Sequence, residues 1–212
     1  EGSGGVLQLA GTTYRHYSGQ TTDNSAETNV NIPSRIKSIK SVFFTQSKTA
    51  DITALTSMST SNSVANGISE YQFRVGSVVY PPTSIKVSPT NKGEAYSELR
   101  KAWGNLGAYD GQSVLLNNSS YLTSFVDGGV ASQPAAVGAV SQFNPFALDF
   151  ESFQKIAAEN GINTADRSLP MSLELKHANG TGSQSQAAVV DVFVMCDAIF
   201  YVNLDGSVSV SI

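Results

Sequence analysis

The residues of this chain able to do chemistry are few and far apart. Its 212 residues include two histidines, His16 and His177. His16 lies within TTYRHYSG between aromatics, and His177 sits at a strand end just before an Asn-Gly turn. Neither has a Cys, Asp or Glu at metal-ligand spacing, so both read as exposed loop histidines. Glu94 and Glu98 stand one helical turn apart, a separation that suits acid–base work. Arg100 and Lys101 follow at once, however, and turn the pair into ordinary helix charge patterning. A carboxylate pair of the glycosidase kind meets only in space and leaves no signature to read here. No GxSxG, P-loop, GxGxxG or CxxC motif occurs, and GSGG at residues 2–5 lacks the strand-to-helix setting of a phosphate loop. The expectation is no catalytic residue, no cofactor and no metal: not an enzyme.

Two further groups are unusual for where they stand. Asp191 and Asp197 interrupt AAVVDVFVMCDAIFYV, residues 187–202, the most apolar run of the chain. Both are at odd positions and share one face, where buried pairing is the expectation and an ion or subunit contact the alternative. Cys196, the single cysteine, lies in the same run and excludes an internal disulfide framework; it reads as a small inert hydrophobe. The one basic cluster, Arg35, Lys37 and Lys40 in RIKSIK, reads as a solvated strand edge, with a phosphate patch as the alternative. With a net charge of -4 the chain lacks the positive footprint of a dedicated nucleic-acid binder. Asn117, Asn118 and Asn179 head N-x-S/T sites, relevant only to a secreted protein.

The elements that must position these groups are strands. The 187–202 run is rich in Val and Phe on both parities, the pattern of a long strand buried on both sides, and it has no polar stripe of helical period. Two aspartates in sixteen residues and no basic flank argue against a membrane span. An NLDG turn and the alternating SVSVSI follow, so the last residues belong to a sheet. Leu169, Met171, Leu173 and Leu175 alternate cleanly with Ser172, Glu174 and Lys176. Other expected strands are RIKSIKSVFFTQ after Pro33, EYQFRV and SVVY before Pro81-Pro82, a short one at residues 85–87, and residues 113–116 and 121–126. Ala95, Leu99 and Trp103 at i, i+4 and i+8, with acids early and bases late, predict one helix that stops at Gly104. A second helix is expected after Phe146-Ala147-Leu148, capped by Asp149 and ending at Asn160-Gly161. Residues 47–69 and 127–145 read as long loops.

Charged residues make up 14% of the chain, well below the usual quarter or so, while 41% are apolar, enough for a proper core. Many strands, no βαβ rhythm and no repeat predict an all-β fold, an antiparallel jelly-roll β-sandwich with two short helices in its connections. Residues 1–31 are expected to be an N-terminal linker or arm with at most a short strand at residues 6–10, and 32–212 the jelly-roll domain. The start at Glu1 suggests a processed terminus or a segment of something longer.

Taken in order, IPSRIKSIKSVFF, YQFRVGSVVYPPTSI, EAYSELRKAW, FALDFESF, GINTADRSLPMSLEL and VMCDAIFYVNLDGSVSVSI resemble the C-terminal half of double jelly-roll major capsid proteins. The resemblance runs over residues 32–212 and is to those of polinton-like and adintovirus-like DNA viruses and virophages. It implies a subunit without cofactor or catalysis, packed beside a second jelly roll, in trimers that tile an icosahedral shell within a virion. The chain is too short for both halves; a single jelly-roll capsid protein would also fit its length. Phe43, Tyr80, Trp103 and Phe146 are the candidate subunit-contact aromatics, each equally a candidate for the core. Low charge suits contacts between copies, because few ions need to be desolvated. The alternative is a lectin-like surface jelly roll that stacks sugars on Tyr14, Tyr17, Trp103 or Tyr109.

Overall fold

The computed structural model describes residues 6–53, 63–88, 91–103, 144–151, 161–166, 169–178, 185–203 and 205–212. In chain order these form β1 (Leu7–Thr21), β2 (Glu27–Ile32), β3 (Ile39–Lys48), α1 (Thr49–Thr53), β4 (Ile68–Val75), β5 (Val78–Lys86), α2 (Gly93–Ala102), β6 (Phe146–Asp149), β7 (Met171–His177), β8 (Ala188–Val202) and β9 (Val208–Ser211). Two antiparallel sheets result. One runs β1-β8-β3-β6, with β9 also on β8, and the other runs β2-β7-β4-β5. Successive strands cross from one sheet to the other except at the β4–β5 and β8–β9 hairpins. That winding is a jelly-roll sandwich, the predicted fold.

The core lies between the sheets and follows period-two patterning. Met171, Leu173 and Leu175 of β7 are buried, as their alternation predicted. Val190, Val192, Val194, Cys196 and Ala198 of β8 meet them from the opposite sheet. Phe44 stands at the centre, stacked on Phe146 at 5.0 Å and edge-on to Tyr71 and Phe73. Such rings contribute about 0.5–1.5 kcal/mol per pair beyond their buried area.

Several expectations need correction. Residues 11–31, read as a polar loop, contain most of β1 and all of β2 but its last residue, Ile32. β1 is an edge strand of its sheet, largely exposed, so few of its residues have to be apolar; β2 buries only Thr28, Val30 and Ile32. β8 is not buried on both sides: its odd-numbered face is half-exposed, and Phe193 is 38% accessible. Pro81 and Pro82 do not end β5, which runs on to Lys86. β5 is an edge strand, and its register jumps from Tyr71↔Ile85 to Phe73↔Tyr80, so the missing N–H groups cost the sheet nothing. The start of the 47–69 loop is the end of β3 and α1, and Ser63–Gly67 is buried. The strands expected at 113–116 and 121–126 lie outside the described residues, as do most of the 127–145 loop and the second predicted helix; its predicted approach, Phe146–Asp149, is strand β6. α2 forms where the i, i+4 spacing predicted, with Ala95, Leu99 and Ala102 buried and Trp103 as its C-cap.

Candidate interaction surface

Jelly-roll sheets present one face to the core and one outward, and here the outward face of the β1-β8-β3 sheet gathers the chain's unusual polar groups. Antiparallel partners share a face, so the register places Tyr14 beside Met195, His16 beside Phe193 and Ser18 beside Asp191 on the outside. His16 is therefore on a strand, not in a loop. Its Nε2 lies 2.8 Å from Asp191 Oδ1, and its ring stacks on Phe193 at 5.0 Å. Asp197 accepts a 2.6 Å bond from the Ser38 hydroxyl and lies 3.2 Å from Lys40 Nζ, which also reaches Glu151 at 3.3 Å. Both aspartates of the apolar run thus meet a basic side chain. Burial pulls the Lys40 ammonium down, but its bonds to Asp197 and Glu151 outweigh that and raise it, so it stays charged. Lys40 is thereby a structural cation, while Arg35 and Lys37 are solvated as expected but stand in the segment before β3 rather than on a strand edge.

His177 departs from its reading as an exposed histidine. It is buried between the sheets' ends, with Nδ1 3.0 Å from the Asn66 carbonyl and Nε2 3.3 Å from Thr28 Oγ1. A carbonyl only accepts, so Nδ1 carries the proton and the Thr28 hydroxyl donates to Nε2. Asn66 is the hub of the surrounding network. Its side-chain amide donates to Gln46 Oε1 (2.9 Å) and the Gln186 carbonyl (3.0 Å), and its oxygen accepts from the Gln186 N–H (2.9 Å). Sequence reasoning missed this site because its members are scattered over 150 residues; the one signal was Asn-Gly before β4, which forms the left-handed pair Asn66 (φ 50°) and Gly67 (φ 66°).

Of the four candidate contact aromatics, two are spent inside the chain. Phe146 is 0% exposed and opposite Phe44 in the sheet. Phe43 is 8% exposed, because Trp103 at the end of α2 lies over it with ring centroids 5.5 Å apart. These two take the core place that was the other reading of them: they pack the domain itself and have almost no surface of their own for a neighbour. Tyr80, edge-on to Phe150 at 5.7 Å, and Trp103 are half-buried at the rim. The residues offered for sugar stacking do not form one wall. Tyr14 and Tyr17 are on opposite faces of β1, Trp103 is on Phe43, and Tyr109 is outside the described residues.

Burial pushes the Cys196 thiol up despite the pull of Arg15, which keeps it protonated and unreactive. Among the described residues, no three His, Cys, Asp or Glu side chains gather as a metal ion would need. No described helix is long and apolar enough to cross a membrane.

Neither a protein-family profile nor a curated protein sequence matches this chain. Solved structures do match it in fold. The mavirus major capsid protein aligns over 100% of this chain with a TM-score of 0.51 at 10% identity. The Sputnik virophage structure aligns over 98% with a TM-score of 0.52 at 13% identity. PBCV-1 VP54, as fitted into a reconstruction of that virophage, aligns over 98% with a TM-score of 0.53 at 8% identity. The chain spans 42%, 39% and 52% of those chains respectively, about half their length or less. The architecture is therefore the jelly roll found in viral capsid proteins, as the resemblance implied.

Proposed function

We propose that this chain is a structural capsid subunit, without catalysis, that self-assembles as trimeric capsomers into the icosahedral shell of a virion. The observation that carries the reading is the strand order β1-β8-β3-β6 facing β2-β7-β4-β5, aligned from end to end with capsid proteins although identity is only 8–13%. The length of those proteins supports a second jelly-roll half as immediate partner, covalent or separate. Tyr80 and Trp103, of the four candidate aromatics, have side-chain surface left to meet it or a neighbouring copy. The outward sheet face with Tyr14, His16 and Phe193 is a second contact surface of mixed aromatic and polar character, the composition favoured at interfaces. Light scattering coupled to size exclusion, with negative-stain electron microscopy of the full-length gene product, is the test. Trimers that tile into sheets or shells are expected; a strict monomer at every concentration overturns the reading.

A further inference from the structure

Lys40 is set apart by how it leaves its strand. Ile39 pairs with Cys196 and Ser41 with Met195, so Lys40 is the extra residue of a β-bulge at the start of β3. A bulge re-aims a side chain, and this one brings Nζ to 3.2 Å from Asp197 Oδ1 on the neighbouring strand β8. The Phe150 N–H donates to the Lys40 carbonyl (2.8 Å), which sets Glu151, just past β6, with Oε1 3.3 Å from the same Nζ. The other oxygen of Asp197, Oδ2, accepts from the Ser38 hydroxyl at 2.6 Å. Ser38 Oγ in turn accepts from the Gly161 N–H at 3.2 Å, which aims its hydroxyl proton at Asp197. The Lys40, Asp197 and Glu151 side chains are only 11–13% accessible.

An amine, a carboxyl and a second carboxylate gathered around the amine and largely shielded from water are the parts of an amide condensation. Near-attack contacts are about 3–3.5 Å, and holding reactants that way is worth an effective concentration of about 10⁵–10⁸ M. We propose that Lys40 and Asp197 join in an intramolecular isopeptide bond, with Glu151 as the proton carrier. Nζ passes one proton to Oδ1, which leaves a neutral amine and a carboxylic acid. The nitrogen then attacks Cγ, Oδ2 takes the negative charge under the Ser38 hydroxyl, and Glu151 Oε1 takes a second proton from the nitrogen. Glu151 returns that proton to Oδ1, which leaves as water as the amide forms. The ammonium and carboxylate charges cancel, Glu151 is regenerated, and no oxidant or activating group is consumed. The ammonium is the stable resting form, so the neutral amine is scarce and the reaction slow. A bond made once per chain needs no more. Low accessibility favours the product, because the released water leaves a site that excludes it. The inference stands apart from assembly, because it concerns two neighbouring strands of one chain.

Intact mass spectrometry of the folded full chain, denatured just before measurement, tests it. The expected mass is one water below that of the sequence. Trypsin should then fail to cut after Lys40 and should yield a branched peptide in which Lys40 is joined to Asp197. Lys40→Arg keeps the cation and Asp197→Ala removes the carboxyl; both should show the full mass and no branch. Glu151→Gln should also show the full mass, with the circular dichroism of the parent, which separates proton transfer from folding. Should either partner variant fail to fold, the parent's digest and Glu151→Gln decide the matter. A folded parent chain of full sequence mass overturns the proposal. So does a missing water without the branched peptide, since a succinimide at an Asp-Gly step such as Asp205-Gly206 loses the same water. A linkage that forms unimpaired in Glu151→Gln overturns the part given to Glu151.

Discussion

At the scale of single residues, His177 is the group whose ionisation the fold opposes. Burial holds its imidazole below the ordinary value of 6.5, more strongly than the Asn66 carbonyl pulls it up. Between the folded value and about 6.5 the unfolded chain binds a proton that the native chain refuses, so stability rises with pH there. The contribution is complete above about pH 6.5 and is lost as acidification carries the pH down through the folded value. Urea denaturation at pH 7.5 and 5.5 is therefore expected to give a lower midpoint in acid. In His177→Gln that difference should shrink; an unchanged difference would remove His177 from the account. The acid limb contributed by Glu174 comes at lower pH, because its bonds to Arg74 and Gln72 hold its carboxyl below 4.5. The Lys40 cluster matters for another reason. Its ammonium joins two mostly buried carboxylates, so removing it takes away the cation they share; breaking a buried pair costs about 3–5 kcal/mol, and the Ser38 bond that Asp197 keeps lessens that loss.

Among the elements, close approach decides which glycines are fixed. A Cβ on Gly161 would sit 2.1 Å from the Ile39 carbonyl oxygen, where Ile39 and Ile162 exchange two 2.9 Å backbone bonds. Gly161→Ala is expected to cost about 1–3 kcal/mol of unfolding free energy. Gly93→Ala, with open space around it, should stay within about 0.5 kcal/mol of the parent. Equal midpoints for the two variants would contradict that contrast. How much of each element was legible depended on how strictly its residues were sorted between core and solvent. β7 was plain because Leu173 and Leu175 face the core while Glu174 and Lys176 face water. α2 was plain because its buried stripe and charge order agreed. β1 was hidden: its inward side includes Gly11, Thr13 and Gly19, and half its length has no opposing sheet, so nothing enforces an apolar pattern. The candidate contact residues were legible only as bulky aromatics, since type alone does not tell a ring that fills the core, like Phe146, from one at its rim, like Tyr80. The paired roles of His16 with Asp191 and of Lys40 with Asp197 depend on a register between strands some 160–175 residues apart, which local sequence does not encode.

For the whole molecule, the jelly-roll winding places β8, a strand that comes late among the described ones, at the centre of the larger sheet. β8 pairs with β1 from Leu7↔Val202 to Thr21↔Ala188 and with β3 on its other side. Contacts of such sequence separation carry a heavy loop-closure entropy before they return any stabilisation, so refolding from urea is expected on the millisecond-to-second scale. Stopped-flow fluorescence of Trp103 checks this, and microsecond refolding would argue against the pairing. The same arrangement has a biosynthetic consequence. While a ribosome is still producing β7, the edges of β1 and β3 that β8 will join stand bare, and they stay so until Ala188–Val202 supplies the ribbon that zips them together. A nascent chain stalled before that point has two open seams, and chaperone binding should concentrate there.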